Sequence, residues 1–157
     1  MLNEVLLLIG LTLAPFLELR ASIPYGIFQT SLSLPVILTI TIVANVALAP
    51  ILYFFYKHLI HLFLHIKLID NLWQRLVVRA QTKIHPYVEK YGVLGLALFI
   101  GVPLPGSGVY TAAIAAYVLG FEFREFLIAS IIGVLIAATA VTLISLFGKG
   151  VWVWFIQ

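Results

Sequence analysis

Residues 15–26 read PFLELRASIPYG, a stretch that sets two charges and two prolines inside an apolar run. Between Val5 and Tyr56 the charged residues are Glu18 and Arg20 alone, both inside it. A carboxylate and a guanidinium within a membrane-grade apolar run are costly unless paired or wetted, so they mark a functional site by default. Pro24 has no N–H to give to the carbonyl of Arg20, which predicts an interrupted helix. Side chains at i and i+2 diverge on a helix but share a side in extended chain. An unwound 18–20 segment would therefore point both charges into one cavity. Irregular backbone at membrane depth needs protein cover or a water-filled space beside it. The expectation is a broken, re-entrant helix with Pro15, Pro24 and Gly26 as its breaks. It would line a polar site with Glu18, Arg20, Ser22 and Tyr25.

The rest of the chain is consistent with a membrane setting. Of 157 residues, 63% are hydrophobic and 10% charged, and mean hydropathy is +1.15. A single membrane domain over 1–157 is expected. Cysteine is absent, which excludes disulfides and thiolate metal sites. The first residues, MLNEVLLLIG, lack a basic n-region, so a cleaved signal peptide is not expected. Six of the nine Lys and Arg residues lie between Lys57 and Lys90, and the positive-inside rule assigns that segment to the cytoplasm. Its basic residues are interleaved with long aliphatic ones, which suits a bilayer surface and not nucleic acid.

Val5–Leu17 is uncharged over 13 residues; as a helix it spans about 20 Å, short of the ~30 Å hydrocarbon thickness. It can enter, turn between Pro15 and Pro24, and return through Tyr25 to Thr30. Pro35 suits a first helical turn. Val36–Tyr56 is then a full span containing Asn45 and a kink candidate at Pro50. Asn45 is expected to bond a neighbouring helix or to line the site. Residues 57–90 read as an amphipathic interfacial connector with Trp73 at headgroup depth, closed by Pro86. His58, His61 and His65 share a helical face there, but no carboxylate or cysteine accompanies them, and no metal or other cofactor is expected.

Tyr91–Phe121 is uncharged yet broken in its middle by Gly101, Pro103, Pro105, Gly106 and Gly108. Ser107 is the expected N-cap of a helix ending at Gly120, on which Ala112, Ala113, Ala115 and Ala116 permit close helix approach. Phe126–Phe147 is a second full span, with Trp152, Trp154 and Phe155 as an aromatic belt.

The halves 1–56 and 91–157 resemble each other at a shift of 88 or 89 residues, which lays Pro15 on Pro103 and Ser33–Asn45 on Glu122–Val134. One hairpin plus one span per half gives a single crossing each, so the halves would enter from opposite sides as an inverted repeat. Such repeats place substrate sites near the midplane, between discontinuous helices whose N-termini favour anions. The competing arrangement is four ordinary spans with parallel halves. In the inverted arrangement Glu18, Arg20, Ser22 and Tyr25 meet the backbone amides of Gly106, Ser107 and Gly108 and the hydroxyls of Ser107, Tyr110 and Thr111. Arg20 and the freed amides could hold a phosphate or carboxylate. Glu18 is a candidate proton carrier.

PFLELRASIPYG together with KYGVLGLALFIGVPLPGSGVYT resembles the small multidrug export family of prokaryotic membrane proteins over nearly the whole chain. The two-hairpin pattern is also similar, more distantly, to the DedA superfamily. The first resemblance implies a transporter of a small amphipathic or anionic substrate, with proton coupling; the second implies translocation of a lipid such as a polyprenyl phosphate. By position both point to Glu18, Arg20, Pro24, Pro103, Pro105, Gly106 and Gly108. The chain is shorter than DedA proteins and has no acid or arginine in its second hairpin. A non-transporting assembly protein is the alternative of another class. Enzymatic chemistry is not expected: Gly106-Ser107-Gly108 suggests a serine hydrolase, but its base would have to come from His58, His61, His65 or His85, and nothing brings one to Ser107. The expected partners are the bilayer, a small-molecule or lipid substrate and protons, with a homo-oligomer left open.

Overall fold

The computed structural model describes residues 2–15, 17–59, 75, 78, 88, 90–103 and 107–156. Among these residues the chain is all-helical, without a strand: α1 (Leu2–Leu13), α2 (Glu18–Gln29), α3 (Leu34–Phe54, followed by a π-helical turn Phe55–Leu59), α4 (Val93–Gly101), α5 (Val109–Val118) and α6 (Phe123–Ile156). The expectations for His61, His65, Trp73, His85, Pro86, Pro105 and Gly106 lie outside the described residues, as do those for the side chains of Trp152, Trp154 and Phe155.

The first interruption falls at Pro15, and residues 18–20, expected to be unwound, form the first turn of α2. Pro15 stops α1, because its ring would collide with the preceding turn and because proline drives the residue before it away from helical geometry. The amides of Leu17 and Glu18 then turn back onto the carbonyl of Ala14, each at 3.3 Å. Glu18 completes the reversal with φ +46°, a left-handed conformation that is strained for any side chain except glycine. Pro24 and Gly26, expected as breaks, both lie inside α2. Pro24 removes one backbone bond from a helix packed against α1, α3 and α6, and that packing outweighs the loss. Gly26 instead permits close approach: a Cβ there would lie 2.6 Å from Cγ2 of Ile37 on α3. Pro50 likewise sits within α3.

The α1–α2 pair is an antiparallel hairpin. Near its tip the hydroxyls of Thr12 and Ser22 are 2.8 Å apart. At its open end the backbone N–H and hydroxyl of Ser31 both reach Oε1 of Glu4, at 3.3 Å. Among the described residues, Leu34–His58 and Phe123–Gly148 are the two stretches long and apolar enough to cross a bilayer. The remaining helices have 9 to 12 residues, or about 14–18 Å, roughly half the hydrocarbon thickness.

The two long helices run antiparallel. Tyr53, near the end of α3, stacks on Phe126, near the start of α6, with ring centroids 5.9 Å apart, and its hydroxyl bonds the carbonyl of Phe121 at 3.1 Å. Farther along, Asn45 of α3 shares a cavity with Val134 and Ala137 of α6. The short helices pack reciprocally around this crossing. Helix α1 lies on α3 and α4 on α6, while α2 crosses to α6 and α5 to α3.

The α4–α6 contact is the most intimate and rests on small residues. A Cβ on Gly133 would lie 2.5 Å from Cβ of Ile100 and 2.6 Å from the carbonyl oxygen of Ala97. Gly101, expected as a break, is the last residue of α4 and is buried against Ile136. These contacts predict that Gly133→Ala lowers stability by about 1–3 kcal/mol through overpacking against backbone. Gly10→Ala, on α1 with nothing within 4 Å of a new Cβ, should be neutral or stabilising by up to about 1 kcal/mol. Thermal unfolding in detergent distinguishes the two.

Candidate functional site

A helix that stops in an apolar setting strands backbone groups: free N–H at the start of the next helix, free C=O at the end of the last. The second interruption, between α4 and α5, has both kinds. Val102 follows α4 in extended conformation, and α5 begins after Gly108, also extended, without a side-chain cap of its own.

The first hairpin supplies the missing partners. The carboxylate of Glu18 accepts from the N–H of Val109 at 3.2 Å and from the N–H of Tyr110 at 3.4 Å. Its side chain is therefore the N-cap of α5, delivered from a residue far away in sequence. Ser107, expected in that role, is engaged elsewhere. Its hydroxyl donates to the carbonyl of Val102 at 2.5 Å and accepts from Nη2 of Arg20 at 3.0 Å. Nη2 of Arg20 also donates to the carbonyl of Ser107 and, at 3.2 Å, to that of Val102. The acid thus meets the positive end of α5 and the guanidinium meets the carbonyl end of α4, each matched to a helix dipole. Both charges find their hydrogen bonds at the second interruption, between α4 and α5.

The left-handed turn at Glu18 and the glycine at 108 make this approach possible. A Cβ at Gly108 would lie 2.5 Å from Oε2 of Glu18 and would also collide with Oε1. Around this core Ser22, fully buried, donates to the carbonyl of Glu18 at 3.1 Å and so braces the reversed turn. The Tyr110 hydroxyl reaches back to the carbonyl of Leu13 at 2.5 Å, tying α5 to the end of α1.

The structure thus brings together Glu18, Arg20, Ser22, Ser107, Gly108 and Tyr110. Thr111 is buried on α5 and Tyr25 half-buried on α2, and among the described residues neither joins the hydrogen bonds of the junction. One contributor has no sequence signal: the pair of amides at Val109 and Tyr110, which no side-chain pattern announces. Asn45, expected either to bond a neighbouring helix or to line the site, lies beside the junction and, among the described residues, bonds no neighbouring helix. It is fully buried, its amide oxygen and nitrogen have no partner, and it lines a cavity with Glu18 and Arg20.

Because the cap depends on an unobstructed approach, Gly108→Ala should displace the Glu18 carboxylate. The expected loss is about 1–2 kcal/mol, the usual worth of a helix cap. In a Glu18→Ala background the same substitution should cost much less, since the group it displaces is already gone. A double-mutant cycle by thermal unfolding measures the coupling; additive effects would place the carboxylate elsewhere.

Comparison with known proteins follows the same segment. No curated protein and no solved structure matches the chain. Residues 18–140, which begin at Glu18 and include the junction and the larger part of both long helices, match the family described as "Putative small multi-drug export protein". With well over half its length matched and two helices apolar enough to cross a bilayer, the chain is a membrane protein belonging to that family.

Proposed function

We propose that the protein is a proton-coupled transporter that moves a small amphipathic or anionic substrate, with the hairpin junction as its site. The observation that carries this reading is the Glu18 carboxylate seated on the amides of Val109 and Tyr110. Those amides form an anion site at a helix N-terminus, and an acid occupies it that can be removed by protonation. A neutral carboxyl no longer complements the positive helix end, so protonation would free the amides for an anionic group of the substrate. Arg20 beside them would supply the second, planar contact.

The architecture supports the same reading. Asn45, Val134 and Ala137 fall near the middle of the two candidate spans, which supports a junction near the bilayer midplane, where repeat transporters bind their cargo. The antiparallel course of α3 and α6 and the reciprocal packing of the short helices favour an inverted repeat over parallel halves. Helices of half the bilayer thickness favour re-entrant hairpins over full spans. On this arrangement the connector 57–90 faces the cytoplasm, and transport would proceed by rocking one half against the other around the junction.

The test is flux in proteoliposomes carrying a pH-sensitive dye in the lumen. A hydrophobic cation such as ethidium and an amphipathic aromatic carboxylate serve as probes. Wild-type protein should move protons when one of these is added, and Glu18→Gln should lower that flux tenfold or more, the loss of about one charge-assisted hydrogen bond. Arg20→Lys should impair the anion more than the cation, because an ammonium cannot reproduce the planar fork. Unchanged flux in Glu18→Gln would contradict the reading and leave the charges as a staple between hairpins.

A further inference from the structure

Below the junction, where α3 and α6 cross, lies a cavity lined by Glu18, Leu19, Arg20, Asn45, Ile100, Val134 and Ala137. Its volume for a water centre is about 10 Å³, which is close to the space of a single water molecule. Four of these seven residues are apolar and offer nothing to hydrogen-bond. The other three are Glu18 and two side chains with unmet needs. Asn45 is 0% exposed, and both its Nδ2 and its Oδ1 are without partners; Nε of Arg20 is buried and unpartnered as well.

We propose that this cavity is a hydrated site holding one water molecule shared by the Asn45 amide, Nε of Arg20 and the Glu18 carboxylate. The donor and acceptor inventory identifies the occupant. Nδ2 and Nε can only donate, so the occupant must accept; Oδ1 and the carboxylate can only accept, so it must also donate. A bare cation cannot accept from two N–H groups and would meet the guanidinium. A halide cannot donate to Oδ1 and would meet the carboxylate. Water does both, fits the volume, and makes the two to four bonds usual for buried water.

The site also gives Glu18 a neighbour with which to exchange a proton inside the protein; this consequence rests on the reading of Glu18 as proton carrier. Asn45 is then a positioning residue, fixing the orientation of the water without touching the substrate.

Water-edited solid-state NMR tests the site on the full-length protein in lipid bilayers, with nitrogen-15 in the Asn and Arg side chains. Slowly exchanging water should transfer magnetisation to Nδ2 of Asn45 and to Nε of Arg20. In Asn45→Leu, of the same branched shape, larger and unable to hold the water, the transfer to Arg20 Nε should be lost, while the amide shifts of Val109 and Tyr110 report that the junction persists. No transfer to either nitrogen in the wild type, or an Asn45 amide bonded to a protein carbonyl, would overturn the proposal. Both transfers in a protein that moves no protons would keep the site and remove its role in coupling; proton flux with a dry Asn45 would overturn the site alone.

Discussion

The carboxylate of Glu18 sits on the first amides of α5, and Arg20 on the carbonyls of Val102 and Ser107, and this contact joins the two interrupted helices. A bilayer offers no water to a broken helix, and each stranded backbone group in hydrocarbon costs several kcal/mol. The α4–α5 interruption has no charged residues of its own between Tyr91 and Phe121. It is completed by the α1–α2 hairpin, whose Glu18 and Arg20 have the signs that the two broken ends require. This explains why an otherwise uncharged run keeps one acid and one base. It also explains why Gly108 lacks a side chain: a Cβ there would occupy the space of the carboxylate.

Everything around that contact serves to hold it in place. Pro15 and the left-handed Glu18 reverse the chain so that the carboxylate points away from its own hairpin. Ser22 bonds the Glu18 carbonyl, and Tyr110 bonds that of Leu13. The small residues of α4 and α6 bring those helices close, which carries the second interruption to the crossing of the long helices. One polar residue of α3, Asn45, faces that crossing with its amide unsatisfied. The buried charge and its hydrogen bonds are thus gathered at the junction, while the outer faces of α3 and α6 remain apolar, with Val43, Ile51, Leu135 and Ile144 exposed.

Much of this was readable from local signals. Two charges in an apolar run marked one side of the junction, Pro15 marked the first interruption, and the cluster of prolines and glycines around residue 105 marked the second. The two spans follow from length and hydropathy. What escaped depends on contacts distant in sequence. Pro24 suggests a break because proline lacks an N–H, yet one missing bond is tolerated in a helix packed on three others. Ser107 before a helix start suggests a local cap, yet an acid delivered from the other hairpin took that position. Gly26 and Gly101 suggest flexibility but serve close packing, a distinction that only the neighbouring helix reveals. Asn45 carries no periodicity that could tell a cavity from a helix contact.

On the proposed function, the Glu18–α5 contact opens when the carboxylate takes a proton. With no native cysteine in the chain, Leu17→Cys and Val102→Cys, both at exposed positions flanking the two interruptions, allow a spin label at each interruption. Pulsed electron paramagnetic resonance in lipid nanodiscs across a pH series would measure the distance between them. A second, longer population should grow as pH falls and be present already at neutral pH in Glu18→Gln. A single distance at every pH, identical in Glu18→Gln, would contradict it.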